Sequence, residues 1–389
     1  MKLRKECTGC SACKQACPMG AIEMSVDSNG FIVPIVNDKC ISCHLCEKVC
    51  PIDVPITHRE QKVFSFINSN KNILIDSSSG GVFPAVAEYI LSKNGIVFGC
   101  VLDENNNAIH KSATTMDGVK SMQGSKYVQS NIGNTYKEAK ECLKEGRFVL
   151  FTGTPCQIHG LYTFLNDSYP NLLTIDIICH GVPNQVMLSN ELKWMESNAS
   201  SNINNLLFRD KKVNGWNLVG SVNANGGKKL FYPANNPYYY YFDRGSIYRD
   251  SCYTCKYACL DRIGDLTIGD FWGIEKFKEC KTRKISNGVS LVIANSSKGL
   301  STMNVLRCKG EVEEYNLSEA IVENLQLIQP VSEEMRDDEI INFYNCGKVE
   351  LVYKRFFDDV GSRMIAKKIK ALMPIQLKLV IKGMSKYEK

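Results

Sequence analysis

The sequence predicts an α+β cysteine-rich unit, then an α/β domain with a mixed sheet, then a C-terminal helical tail. Three observations predict it. Eight of the 18 cysteines fall within residues 1–55, in two matching runs. From residue 73 onward, apolar strand-like runs alternate with helix-like stretches. Residues 351–389 interleave apolar and basic positions on either side of Pro374.

The first unit, residues 1–55, carries Cys7-x2-Cys10-x2-Cys13-x3-Cys17-Pro18 and then Cys40-x2-Cys43-x2-Cys46-x3-Cys50-Pro51. In this spacing three close cysteines wrap one cubane and the fourth crosses to the other. Cys7, Cys10, Cys13 and Cys50 are therefore expected to hold one 4Fe–4S cluster, and Cys40, Cys43, Cys46 and Cys17 a second. The short loops aim backbone N–H groups at the sulfurs, and the prolines redirect the chain. Ile22–Met24 and Phe31–Val36 flank the turn Asp27–Gly30 and suit a hairpin beneath the clusters, giving a ferredoxin-like unit. The competing reading is two zinc sites, whose usual spacings differ from this one. His44 either tunes a cluster by hydrogen bonding or is an exposed bystander.

Residues 56–72, with HREQK and NSNKN, read as a polar connector. The second domain, 73–335, is predicted from helices at Ser79–Lys93, Asn134–Glu145, Pro155–Leu165 and Gln185–Ser197. Its strands are predicted at Gly95–Leu102, Phe148–Thr152, Leu172–Cys179, Leu266–Ile268 and Val289–Ala294, with a further helix near Leu300–Leu306. The Asn/Gly-rich stretch 203–235 reads as a β-excursion.

A second cysteine group, Cys252-x2-Cys255-x3-Cys259, suggests a third cluster. Radical S-adenosylmethionine enzymes use the opposite order of spacers, so that reading is rejected. A cubane needs a fourth ligand. Cys156 and Cys179 both lie at predicted strand ends, where open α/β sheets build sites; each is alternatively a small buried hydrophobe. Cys100, Cys142, Cys280, Cys308 and Cys346 are expected to pack only.

The chain has neither G-x-G-x-x-G nor a P-loop, so a Rossmann nicotinamide site and a nucleotide-hydrolysing site are unsupported. Ser77-Ser-Ser-Gly-Gly81 opens a helix and suits an anion, and Lys126-Tyr127 adds a cation and a ring. Each is also readable as a plain cap or a solvated surface.

Of the 389 residues, 44% are hydrophobic and 23% charged, as in ordinary soluble proteins. Net charge is +6. Residues 351–389 hold ten Lys/Arg against three Asp/Glu, so the remainder sums to −1. A nucleic-acid-binding body is not indicated. The basic tail is expected either to dock on the body or to lie on an anionic membrane surface. No apolar targeting segment and no stretch of about 20 apolar residues is apparent. The expected location is cytoplasmic, with peripheral contact at the inner membrane surface as the second option.

Taken in order, Ser78-Ser-Gly-Gly81, Ser125-Lys-Tyr-Val128, Gly153-Thr-Pro-Cys-Gln157, Cys179-His-Gly-Val-Pro183, Cys252-x2-Cys255 and Gly269-Asp-Phe-Trp-Gly273 resemble the coenzyme F420 hydrogenase/dehydrogenase beta-subunit family. The resemblance spans roughly residues 1–335. It implies an iron–sulfur flavoprotein whose α/β core binds FAD and exchanges electrons with 4Fe–4S clusters. Ser79, Gly80, Gly81, Lys126, Tyr127, Thr154 and Gln157 would lie near flavin or substrate. Cys156, Cys179, Cys252, Cys255 and Cys259 would lie near the extra cluster. His180 and Asp270 are candidate proton donors, although Asp265 and Asp270 are equally readable as turn carboxylates.

The resemblance further implies an electron-donor protein such as ferredoxin and an organic or lipid-linked substrate, with a role in polysaccharide assembly in some relatives. A homo-oligomer is left open. The leading expectation is a flavin-dependent oxidoreductase. The alternative is a non-catalytic electron-transfer subunit of a larger hydrogenase or dehydrogenase complex.

Overall fold

The computed structural model describes residues 4–277, 285–361, 369, 372–373 and 377–378. An α+β unit opens the chain. Strands β1 (Ile22–Val26) and β2 (Ile32–Val36) form an antiparallel hairpin with Ile22 opposite Val36. Its turn is fixed by Asp27, whose Oδ1 accepts from the N–H groups of Asn29 and Phe31 at 2.9 Å each. The short helices Ala12–Ala16 and Leu45–Lys48 follow the two cysteine loops.

The α/β domain contains β3 (Lys62–Asn68), β4 (Ile96–Leu102), β5 (Ala108–Ala113), β6 (Val149–Gly153) and β7 (Leu172–Ile177). After an excursion of β8 (Asn204–Leu207), β9 (Gly220–Ala224) and β10 (Gly227–Phe231), it resumes with β11 (Leu266–Asp270), β12 (Ser290–Ala294) and β13 (Gly310–Tyr315). An eight-stranded sheet runs β13-β3-β12-β11-β7-β6-β4-β5. Its centre, β11-β7-β6-β4, is parallel, and the flanking pairs are antiparallel. The sheet is thus mixed, as the sequence predicts.

One predicted feature is corrected. The stretch 56–72 is not merely a connector: β3 lies between β12 and β13, with Val63, Phe64, Ser65 and Phe66 all buried.

The central strands are apolar on both faces because helices cover both. Val97 and Leu150 pack on one side with Val86 and Ile90 of the helix Val82–Ser92. Phe98 and Phe151 pack on the other with Tyr136, Ile158 and Leu161 from the helices Thr135–Lys144 and Pro155–Leu165. The helix Pro155–Leu165 has Pro at its first turn and a capping box between Thr154 and Gln157, a device worth about 1 kcal/mol.

That second face also receives the cysteine unit. Gly160 carries no Cβ where one would lie 2.9 Å from Cys10 Sγ, so the first cysteine loop sits directly on the helix.

A third layer joins β8–β10 to the helices Gln185–Ala199, Pro237–Asp243, Asp338–Asn345 and Val349–Val360. Tyr238 to Phe242 are all buried there. In Val349–Val360, residues Val349, Val352, Phe356 and Val360 form one buried stripe, so this part of the basic tail is docked on the body. The rest of the predicted tail helix lies almost wholly outside the described residues, as does Cys280.

Candidate functional site

Both N-terminal cysteine loops adopt the same unusual backbone. Gly9 and Ser11 after Cys7, and Ser42 and His44 after Cys40, all have φ between 54° and 67°. Left-handed Ser and His are strained, and strain of this kind gathers at binding sites. The repetition at equivalent positions shows two copies of one loop geometry. Cys17 Sγ accepts from the Ala21 N–H at 3.3 Å. No disulfide joins the described cysteines. Cys40 and Cys43 are exposed whereas Cys10 is buried, so the second cluster's set faces solvent and the first faces the core. His44 is exposed and pairs with Glu47 at 2.9 Å.

The C-terminal ends of β6, β7 and β11 point to the same edge of the sheet, and a cavity of about 440 Å³ opens there. This is the size range of small-molecule sites. Its wall gathers sequence-predicted residues from six separate motifs: Ser79 and Gly81; Lys126 and Tyr127; Thr154, Cys156 and Gln157; Cys179 and His180; Cys252 and Cys255; and Asp270.

Four cysteines converge on one side. Burial raises the Cys179 thiol to about 12, with Cys156 and Cys255 adding to the rise. Burial also pushes Cys252 well above its usual value, reinforced by Cys179, Cys255 and Cys156. Cys255 rises to about 11 through burial and Cys156. Four half-buried cysteines close enough to act on one another form a donor set suited to a cubane.

Cys259 stands apart: its Sγ donates to Lys256 O and Asp261 O at 3.2 Å each. The spacing alone grouped it with Cys252 and Cys255, but the turn after Lys256 carries it away. Among the described residues, no three His, Cys, Asp or Glu groups converge on a single ion. In a cubane each thiolate binds its own iron.

The opposite wall suits an anion. The helix Val82–Ser92 begins at Gly81 without a side-chain cap, leaving first-turn amides at the cavity. Ser79 and Gly80 serve the backbone instead. Ser79 Oγ donates to Val289 O, and Gly80 N–H donates to Ser290 Oγ, both at 2.8 Å. A Cβ at Gly80 would meet Phe66 O at 1.9 Å, so close packing on β3 dictates this glycine. Lys126 lines the cavity, but its ammonium donates to Ser121 O, Met122 O and Gln123 O at 2.7–3.2 Å. It thereby caps the helix Met116–Met122, and burial lowers it to about 8.

Asp270 is not a free proton donor. Arg209 Nη1 donates to its Oδ2 at 3.0 Å and Trp216 Nε1 to its Oδ1 at 2.5 Å. It is the counter-ion of a buried guanidinium whose side chain is 1% exposed. Arg209 also sits 5.4 Å from the Trp272 ring, which stacks on Trp216 at 4.6 Å. Among the described residues its buried Nε has no hydrogen-bond partner, as expected of a group shaped to meet a ligand. Tyr127 stacks on Phe242 at 4.3 Å and accepts from Arg209 at 3.4 Å. Asp265 accepts from Thr174 and Ser296 and is a structural carboxylate. His180 lines the cavity, and burial lowers its pKa against the pull of Asp270.

Sequence reading missed Arg209 and a polar chain through His110. Burial lowers His110 to about 4, so its ring is neutral. Nε2 donates to Thr152 O at 3.0 Å, hence Nδ1 accepts from Ser130 Oγ at 3.1 Å. Gln157 Nε2 donates to the same Ser130 oxygen at 3.0 Å, and its Oε1 accepts from Thr154 N. Cys100, expected to pack only, also lines this wall. Only the pairing of β4 with β5, which sets Cys100 opposite His110, brings these groups together.

No helix among the described residues is long and apolar enough to cross a membrane. Residues 146–320 match the family described as the C terminus of the coenzyme F420 hydrogenase/dehydrogenase beta subunit, and residues 6–54 match a 4Fe–4S dicluster domain. No curated protein matches the chain. Among solved structures it is similar to a chain of the F420-reducing NiFe hydrogenase complex from Methanosarcina barkeri. That likeness has 16% identity and a TM-score of 0.45, covering 76% of this chain and 93% of that one. Residues 146–320 thus carry the C-terminal region of the coenzyme F420 hydrogenase/dehydrogenase beta-subunit family behind a 4Fe–4S dicluster domain, and the chain is an iron–sulfur electron-transfer protein.

Proposed function

We propose that this chain is the electron-transfer subunit of a larger oxidoreductase, joining a protein partner at its exposed N-terminal clusters to a flavin in the carboxyl-edge cavity. The observation that carries this reading is the seat of Cys10 on the helix that begins beside Cys156. It makes the cysteine sets continuous from solvent to cavity. The subunit reading is preferred to a stand-alone enzyme because Asp270, the carboxylate expected to give a proton, is committed to Arg209 and Trp216.

The residues fit the groups they would hold. The N-terminal unit would hold two cubanes, and Cys156, Cys179, Cys252 and Cys255 a third. The first-turn amides after Gly81 and the unpartnered Nε of Arg209 suit the flavin's phosphates. When bound, the clusters supply one-electron storage and the flavin couples single electrons to two-electron exchange.

The remaining work belongs to the chain. Asp270 holds Arg209 at the wall, and Trp216 and Trp272 exclude water behind it. His110 keeps its proton on Nε2 against Thr152 O, which fixes Ser130 and Gln157. Lys126, lowered to about 8 by burial, holds a proton on Nζ that is lost just above neutral pH. An organic substrate would enter at the same cavity.

The test is anaerobic purification with quantification of iron, acid-labile sulfide and flavin, followed by reduction with ferredoxin. About twelve irons and one flavin per chain, flavin bleaching on reduction, and no turnover without a partner subunit are expected. About eight irons without flavin would remove the third cluster and the flavin from this reading. Turnover of an organic substrate by the isolated chain would restore the stand-alone enzyme.

A further inference from the structure

The segment that supplies Cys252 and Cys255 also supplies a cation at each end, Arg249 and Lys256. Both are turned onto the N-terminal unit. Arg249 is 5% exposed. Its Nε donates to Cys7 O at 2.7 Å, and its Nη1 donates to Ile32 O at 2.8 Å and to Gln129 Oε1 at 3.3 Å. Lys256 Nζ donates to Pro51 O, Ile52 O and Val54 O at 2.6, 3.1 and 2.7 Å. Arg249 thus holds the loop of Cys7, and Lys256 holds the turn after Cys50. These are the two ends of the first cluster's ligand set.

The acceptors are all neutral oxygens. Among the described residues neither cation forms an ion pair, in contrast to neighbouring Arg262, which pairs with Asp176 at 2.8 Å. A buried cation without a counter-charge is costly. Cysteines of both sets lie within electrostatic reach: Arg249 acts on Cys156, and Lys256 responds to Cys50 and Cys255 as well as to Asp53, which is itself paired with Arg4 at 2.6 Å. Each cation therefore stands between a cysteine of the first cluster and a cysteine of the cavity set.

We propose that Arg249 and Lys256 form a cationic clamp that seats the N-terminal unit on the core and raises the reduction potentials of the two clusters meeting across it. This rests on the three-cluster reading above. The physical reason is that gaining an electron makes a cluster more negative, and a fixed positive charge in a poorly screened site favours that state. No bond forms and no proton moves. Carbonyl partners orient the two cations without cancelling their charge, as a carboxylate would.

The test is an anaerobic redox titration followed by electron paramagnetic resonance on the full chain. The signal that Cys179→Ser removes identifies the cavity cluster. Arg249→Gln and Lys256→Gln should each lower the potential of that cluster and of the first by at least tenfold in the reduced-to-oxidised ratio at fixed potential, about 59 mV for one electron. Arg249→Lys should recover most of the loss. Lys193→Gln, exposed on the helix Gln185–Ala199 away from every cysteine set, should shift nothing.

If Arg249→Gln loses iron, Lys256→Gln, the more exposed of the two, decides. Variants with wild-type iron and unshifted potentials would overturn the clamp as a redox device and leave it a packing contact. About eight irons in the wild-type chain would instead overturn the cluster reading on which it stands.

Discussion

The N-terminal cysteines and the cavity cysteines reach similar donor sets by different routes. Each N-terminal loop carries its own geometry: the left-handed residues at Gly9 and Ser11, and again at Ser42 and His44, bend the chain around the sulfurs. The cavity set has no such autonomy. Cys156 follows β6, Cys179 follows β7, and Cys252 and Cys255 arrive from a helix after the β8–β10 excursion. Its geometry exists only while the parallel strands are in register. A loop-built site should therefore outlast damage to the sheet, and a sheet-built one should not.

The most disruptive test of this difference is Asp176→Asn. Asp176 on β7 pairs with Arg262 in full burial, the two side chains being 0% and 2% exposed. Removing its charge strands a guanidinium beside Cys179 and Cys255. Global stability should fall by about 3–5 kcal/mol in urea titration. In protein that still folds, iron should be lost from the cavity set before the N-terminal unit.

Glu191→Gln supplies a control remote from both sets. Glu191 is buried among Tyr344, Tyr353 and Asn236, and burial raises it to about 7. Its folded pKa lies above the unfolded value of about 4.3. Its contribution to stability is therefore fully present below that value and lost as pH rises through about 7. Wild-type stability should decline by about 4 kcal/mol across this window. The Gln variant should lack that slope, with the iron content of both unchanged.

Gly160→Ala acts on the contact between the two sets. The added methyl lies 2.9 Å from Cys10 Sγ, and overpacking of this kind costs about 1–3 kcal/mol. Electron transfer from the N-terminal clusters to the cavity should slow, read by stopped-flow, while both sets keep their iron.

The smallest effect is expected from Lys126→Met. It removes the cap on the helix Met116–Met122, at about 1 kcal/mol. It should also abolish any pH dependence of flavin reduction near pH 8.

The same contrast explains what was legible in the sequence. The eight N-terminal cysteines carry their ligand spacing in consecutive residues, and so do the apolar runs of β4, β6, β7 and β12. β3 was hidden because its apolar core, Val63–Phe66, is short, contains Ser65 and sits among polar residues; only β12 and β13, far away in the chain, make it a strand. Cys259 was misgrouped because spacing reports distance along the chain and not the direction of a turn. Arg209 had no local signal at all. It stands in an Asn-rich stretch, and its role as a buried ion-pair partner appears only when β11 delivers Asp270 to it. For Asp270 the sequence left two readings open, since a carboxylate at a strand end looks the same whether it gives a proton or anchors an arginine, and the structure pairs it with Arg209.

The central claim is that four cysteines from three distant segments form one cluster site and that Cys259 is not among them. Iron and sulfide per chain, measured anaerobically on wild type, Cys179→Ser and Cys259→Ser, tests it directly. The account predicts about twelve irons for wild type and Cys259→Ser, and a loss of about four in Cys179→Ser. A loss of four irons in Cys259→Ser, with Cys179→Ser unchanged, would contradict it.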